Sequence, residues 1–177
     1  MKRLLSIIAL AATLLTYVGN VSAQEVNIQS EEIQKGWKSL KGSVNLYIAN
    51  DLGRNGYYDQ KTIADLMGEM AEDVGPEAIL AIGDVHHFNG VASVNDPLWR
   101  TNFEDIYSHP ELMIDWFPVL GNHEYRGNTQ AVMDYGKVSR RWMSGERYYT
   151  RTFVKKGVSV RVVFLDTTPL IGRYQKE

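Results

Sequence analysis

From residue 43 onward the chain alternates short apolar runs with polar loops in a repeating order. Ser43 to Ala49 alternates and is rich in β-branched and aromatic residues, which predicts a strand, and it runs into the turn-rich loop Asn50-Asp51-Leu52-Gly53-Arg54-Asn55-Gly56. Asp59 to Val74 places Ile63, Leu66, Met67 and Met70 at three- and four-residue spacing. This predicts a helix with Asp59 as its N-cap and Gly75-Pro76 as its stop. Ala78 to Ile82 is short and wholly apolar, as a strand buried on both faces requires, and the loop Gly83-Asp84-Val85-His86-His87-Phe88-Asn89-Gly90 follows. Leu98 to Tyr107 predicts a second helical segment. Trp116 to Leu120 predicts a third buried strand, ending in Gly121-Asn122-His123-Glu124-Tyr125. A further helix is expected around Gln130 to Trp142, and Tyr148 to Val154 and Val158 to Leu165 read as an antiparallel pair joined through Lys155-Lys156-Gly157. Strand, helix, strand, helix, strand is an α/β order, with mixed β-sheets flanked by helices.

The first residues follow a different pattern. Lys2 and Arg3 precede an apolar run from Leu4 to about Val18, and Val21-Ser22-Ala23 supplies small residues at a cleavage site. This predicts a signal peptide over residues 1–23 and a secreted or periplasmic mature chain beginning at Gln24. The apolar run is shorter than the ~20 residues that span a bilayer, so no stable membrane anchor is expected after cleavage. Residues 24–42 are polar and weakly periodic and are expected to form an extended lead-in to a domain over 43–177.

Composition narrows the chemistry. With 177 residues, 44% apolar and 23% charged, the chain has the make-up of one globular domain. A net charge of −2 without a Lys/Arg stripe argues against a nucleic-acid partner. Cysteine is absent, so any metal must be held by His, Asp, Glu or Asn.

Polar residues fall where such a metal site would be built. Asp51, Asp84 and Asn122 occupy equivalent positions just after successive strands, and ligands of open α/β sheets collect outside the carboxyl ends of the strands. His87 follows Asp84 by three positions and His123 directly follows Asn122. Carboxylate, amide oxygen and imidazole suit ions such as iron, manganese or zinc, and a carboxylate such as Asp84 can bridge two of them. Each residue alone also fits a plainer role. Asp51 and Asp84 are common turn formers after a strand, Gly121-Asn122 is a possible turn, His86-His87 a possible solvated pair and His109 a loop residue.

Taken together, Ala49-Asn50-Asp51-Leu52-Gly53, Gly83-Asp84-Val85-His86-His87-Phe88 and Gly121-Asn122-His123-Glu124-Tyr125-Arg126-Gly127-Asn128 resemble the first three metal-binding blocks of the calcineurin-like metallophosphoesterases. Within these they are most similar to the small purple acid phosphatase group, which includes tartrate-resistant acid phosphatase. The resemblance extends to Phe103-Glu104-Asp105-Ile106-Tyr107, Lys137-Val138-Ser139-Arg140-Arg141-Trp142 and Phe164-Leu165-Asp166-Thr167, covering about Ser43 to Leu170. It implies a β-sandwich flanked by helices, incomplete in this chain, and hydrolysis of phosphomonoesters by metal-activated hydroxide. The substrate would be a phosphorylated small molecule or a phosphoprotein. Residue by residue, it implies that Asp51 binds the first metal, Asp84 bridges both, and Asn122 binds the second. It implies that His123 is the catalytic residue, facing the phosphate and giving a hydrogen bond or proton to the leaving group.

Two positions depart from the family pattern. His87 stands where the family has the iron-binding tyrosine that gives its colour, so a neutral ligand replaces a phenolate and divalent ions are favoured over Fe³⁺. Glu124 stands where the family usually has Asp, one methylene longer, and is expected to shift the carboxylate and misorient its neighbour. The family also takes histidines from its second half, including a Gly-His-x-His block, whereas the histidines here all precede residue 124. The resemblance is thus to the N-terminal half of a domain that holds two metal ions (Fe, Mn or Zn). Asp51, Asp84 and His87 would serve the first ion, but only Asp84 and Asn122 the second, so this chain is expected to hold at most one ion, weakly. The alternatives are a non-catalytic secreted remnant or binding protein on the same scaffold, and a metal-dependent phosphodiesterase.

Overall fold

A computed structural model describes residues 31–143 and 145–174. The expected signal peptide, residues 1–23, lies outside the described residues. No helix among the described residues is long and apolar enough to cross a membrane.

The described chain begins with α1 (Glu31–Leu40), followed by β1 (Leu46–Ala49), α2 (Gln60–Val74), β2 (Ala78–Ala81) and β3 (Asp115–Pro118). After these come α3 (Thr129–Asp134), β4 (Tyr148–Lys155) and β5 (Val158–Leu165). The strands form two sheets, one parallel and one antiparallel, as the α/β reading expects. β1, β2 and β3 pair in parallel in that order, and β4 and β5 pair as an antiparallel hairpin in a sheet of their own. At the hairpin turn both Lys156 and Gly157 have positive φ, the twist-matched conformation that two-residue hairpin loops favour.

The parallel sheet is packed on both faces. On one side lies an aromatic core in which Trp99 stacks on Tyr135 at 3.5 Å between ring centroids, with Phe103, Trp116 and Trp142 packed edge to face around them. On the other side, Leu80 and Phe117 meet Phe153 and Phe164 of the hairpin, and Tyr149 Oη donates to Pro118 O at 2.5 Å. The hairpin's outer side leaves Val154, Val158, Val163 and Leu165 exposed.

Several local expectations are corrected. Residues 31–40 are helical and not extended: Glu31 and Glu32 in the first turn and Lys38 in the last complement the helix dipole, and Lys38 pairs with Asp73 of α2 at 3.7 Å. Asp59 does not cap α2 through its side chain. It sits in the left-handed region at φ 60°, while Gln60 Oε1 accepts from the N–H groups of Arg54 and Gly56 and ties the preceding loop to the helix. The buried stripe of α2 is Ala64, Gly68, Ala71 and Val74, with Ile63 exposed, because the helix docks too closely for large side chains. A Cβ on Gly68 would lie 2.1 Å from His109 Cγ. The segment after Asp134 leaves the helix through a 3₁₀ turn, Tyr135–Lys137, and residues 141–143 pair with β3. Trp116 N donates to Arg141 O at 2.7 Å and Met143 N to Trp116 O at 2.8 Å. The helical segment expected over 98–107 is a shorter π-helical turn, Arg100–Glu104, and its backbone carbonyls, with the Glu104 carboxylate, receive the buried Arg141 guanidinium.

Candidate metal centre

Because the three strands of the parallel sheet run the same way, the loops after β1, β2 and β3 emerge at one edge. Asp51 and Asp84 both take left-handed backbone conformations, φ 53° and 54°, which Asp tolerates better than bulky or branched residues. Non-glycine residues held there cluster at functional sites. The loops approach each other closely. Asp51 N donates to Gly83 O at 3.2 Å, and a Cβ on Gly121 would lie 2.3 Å from Asp84 Oδ1, so the third loop needs glycine at its first position.

The side chains converge with the backbones. Asp84, His87 and His123 bring candidate ligand atoms within 4.8 Å of one another. Asp51 joins them, with its Oδ1 at 3.4 Å from His87 Nε2, while Asp84 Oδ2 lies 3.9 Å from the same nitrogen. The His87 and His123 rings are 4.0 Å apart between centroids. Asn122 lines, with Asn50, Asp51 and Asp84, a cleft of about 490 Å³ whose far wall is β5.

Hydrogen bonding fixes which nitrogens are available. His87 Nδ1 lies 3.2 Å from Gly53 O, and since a carbonyl only accepts, Nδ1 carries the proton and Nε2 presents its lone pair to the two carboxylates. Burial, then the neighbouring His123 and Arg54, hold His87 below the usual imidazole range, against the pull of Asp84 and Asp51. A neutral nitrogen lone pair facing two anionic oxygens at these distances is repulsive unless a cation lies between them. The donor set, two carboxylates and two imidazoles, therefore fits a divalent metal. His123 Nδ1 likewise donates to Phe88 O at 2.7 Å, leaving Nε2 as its free ring nitrogen.

Glu124 holds this arrangement from beneath. It is fully buried, and its two oxygens accept from four backbone N–H groups: Asp84 at 2.9 Å, Val85 at 2.8 Å, His86 at 3.2 Å and Gly121 at 2.7 Å. Burial pushes its carboxyl up, and the N–H groups of Gly121 and Asp84 pull it back down. The Glu side chain spans the gap between the second and third loops. His86 is not solvated. It is buried edge-on against Trp99 and sits 3.3 Å from Asn102 Nδ2, and burial lowers its pKa to about 3.

The remaining family-like blocks serve packing. Glu104 takes Arg141 at 2.9 Å and Tyr135 Oη at 2.9 Å, and the buried Asp166 accepts from Tyr125 Oη at 2.6 Å and from Arg147 at 3.1 Å. Tyr125 follows Glu124, so that network anchors the third loop to the end of the hairpin. The backbone partners of Glu124 and the contacts of Phe88 with Arg54 and Arg126 left no sign in the sequence, because they join groups distant in the chain.

The profile of the calcineurin-like phosphoesterase family matches residues 44–175. Purple acid phosphatase 7 of Arabidopsis thaliana is 34% identical over 140 residues, covering 79% of this chain and 42% of the relative. Tartrate-resistant acid phosphatase type 5 of Oryctolagus cuniculus is 37% identical over 112 residues, covering 62% of this chain and 34% of the relative. Among solved structures, one described as GAP50, the anchor in the inner membrane complex of Plasmodium, superposes with a TM-score of 0.63 at 22% identity, over 74% of this chain and 44% of that one, a likeness of fold. The chain spans less than half the length of these relatives. With three strand-end loops meeting at one sheet edge and a matching profile over most of its length, the chain belongs to the calcineurin-like phosphoesterase family.

Proposed function

We propose that the loops after β1, β2 and β3 form the metal- and phosphate-binding face of an exported, acid phosphatase-like phosphomonoesterase that works with two metal ions. The observation that carries this reading is the convergence of Asp51, Asp84, His87 and His123, with both imidazoles protonated at Nδ1 toward backbone carbonyls. Asp51, Asp84 and His87 would hold one ion, and Asp84 with Asn122 would contribute to a second. Iron, manganese and zinc all suit these donors, and His87 in place of a phenolate favours the divalent state. When bound, such ions neutralise phosphate charge and lower the pKa of water.

The chain's own residues supply the rest. Glu124 fixes the backbone of residues 84–86 against Gly121, so Asp84 is held in place before any ligand arrives. His123, oriented by the Phe88 carbonyl, carries a proton on Nε2 when charged and passes it to the leaving alkoxide. The substrate is a phosphorylated small molecule or phosphoprotein. Export rests on the pattern of Lys2, Arg3, the apolar run and Val21-Ser22-Ala23.

The test is ³¹P NMR of methyl phosphate and of dimethyl phosphate with the full chain and Mn²⁺. The proposal expects strong paramagnetic broadening of the monoester signal, weaker broadening of the diester, and loss of both with Asp84→Asn. Equal broadening of the two esters, or broadening that survives Asp84→Asn, contradicts it.

A further inference from the structure

We propose that Arg54, Phe88 and Arg126 form a recognition rim beside the candidate metal centre, selecting phosphomonoesters whose leaving group is flat and carries a second anionic group. The inference rests on the phosphoesterase reading above and assigns a substrate class to that same site.

Phe88 directly follows two buried histidines, yet its own side chain is 67% exposed. A single exposed aromatic ring needs no explanation. This one has the Arg54 guanidinium beside its ring, the Arg126 guanidinium on its backbone carbonyl, and both imidazoles of the site nearby. Arg54 Cζ lies 5.6 Å from the Phe88 ring centroid, and Arg126 Nη1 donates to Phe88 O at 3.2 Å. The ring centroid is 6.0 Å from that of His87 and 6.5 Å from that of His123. Because the Phe88 carbonyl also receives His123 Nδ1–H, the backbone under the ring is fixed to the site while the ring stands in solvent. A leaving group attached to a phosphate at Asp84, His87 and His123 would have this ring within reach of its first few atoms.

The two cations are poorly used by the protein itself. Among the described residues Arg126 pairs with no carboxylate, and the carboxylate beside Arg54 is Asp51 at 3.8 Å, already committed to the metal in the reading above. Guanidinium is a planar fork that takes a carboxylate or phosphate by paired hydrogen bonds and also stacks on flat π-systems. A ring lying on Phe88 and bearing an anion would use all three side chains. An aliphatic, uncharged leaving group would use none of them.

The test is calorimetric titration of the full chain, with Mn²⁺ present, by three phosphonates whose carbon–phosphorus bond resists hydrolysis: methylphosphonate, phenylphosphonate and 4-carboxyphenylphosphonate. The rim predicts that phenylphosphonate binds about fivefold more tightly than methylphosphonate. The carboxylate should add about fivefold again. Phe88→Leu should remove the first step, and Arg54→Gln or Arg126→Gln should shrink the second, each read as a ratio of affinities within one variant. Arg126→Lys, which keeps the charge and loses the fork, should restore part of the second step. If all three phosphonates bind with equal affinity, the rim is wrong and the phosphoesterase reading stands. If none binds, both are wrong.

Discussion

At the scale of single residues the site depends on one buried carboxylate as much as on its exposed ones. Replacing Glu124 by Ala leaves four backbone N–H groups without their acceptor and removes one of the ties between the second and third loops. Chemical denaturation should show a loss of about 1–3 kcal/mol, the usual cost of unsatisfied buried polar groups. Metal affinity should fall about 10–100-fold, as it does when residues orienting a ligand are lost. Unchanged stability together with unchanged affinity would show that the carboxylate is dispensable. His123 poses a sharper question, because its position suits either a ligand or a proton donor. In a complete enzyme carrying this half, His123→Ala is expected to keep its metals and to lose about 10²–10⁴-fold in turnover, with phenyl phosphate suffering more than 4-nitrophenyl phosphate. Metal lost along with turnover would make it a ligand. The residues after each strand were legible in the sequence because carboxylate, amide and imidazole recur at one place in a repeating pattern. Glu124 was legible only as a lengthened counterpart of the family's Asp; its hold on four backbone N–H groups was not, since no side-chain pattern encodes such partners.

At the scale of elements, the strands followed from local pattern and the helices only partly. β2 is apolar at every position and buried at every position, so its place at the centre of the sheet was readable. α2 was readable as a helix but not in orientation, because its contact face is built from Ala64, Gly68 and Ala71, small residues that hydrophobic spacing overlooks. The break after Asp134 was hidden because it arises from pairing of Trp142 with Trp116, distant in the chain. Arg141 secures that pairing from within: its guanidinium lies 4.2 Å from the Phe103 centroid and donates to Tyr107 O at 2.5 Å. Arg141→Ala should cost about 1–3 kcal/mol by urea denaturation, since buried carbonyls lose their donor while Glu104 keeps Tyr135 and some solvent. No loss would mean that the pairing holds without it. The hairpin turn offers an expected gain. Lys156 carries a left-handed backbone at φ 49°, a strain that Asn bears more easily, so Lys156→Asn should raise the midpoint of thermal unfolding, by up to about 1 kcal/mol in stability. A lowered midpoint would show that the Lys156 side chain contributes more than its backbone costs.

At the scale of the whole molecule, the two-layer packing of parallel sheet and hairpin fixes where the three strand-end loops sit. The aromatic core fixes one face of the sheet, the hairpin fixes the other, and the Tyr125–Asp166–Arg147 network ties the third loop to the hairpin's end. On the proposed reading, Asp51, Asp84 and His87 would hold one ion, and Asp84 with Asn122 would offer only two donors to a second. The central claim, that this sheet edge is a metal site, is tested most directly by calorimetric titration of Mn²⁺ into the 177-residue chain and its Asp84→Asn and His87→Ala variants. The account predicts one ion per chain at saturation, bound weakly, with affinity lowered about 10-fold or more in each variant. Binding of the same stoichiometry and affinity in all three proteins, or no Mn²⁺ binding by the unmodified chain, would contradict it.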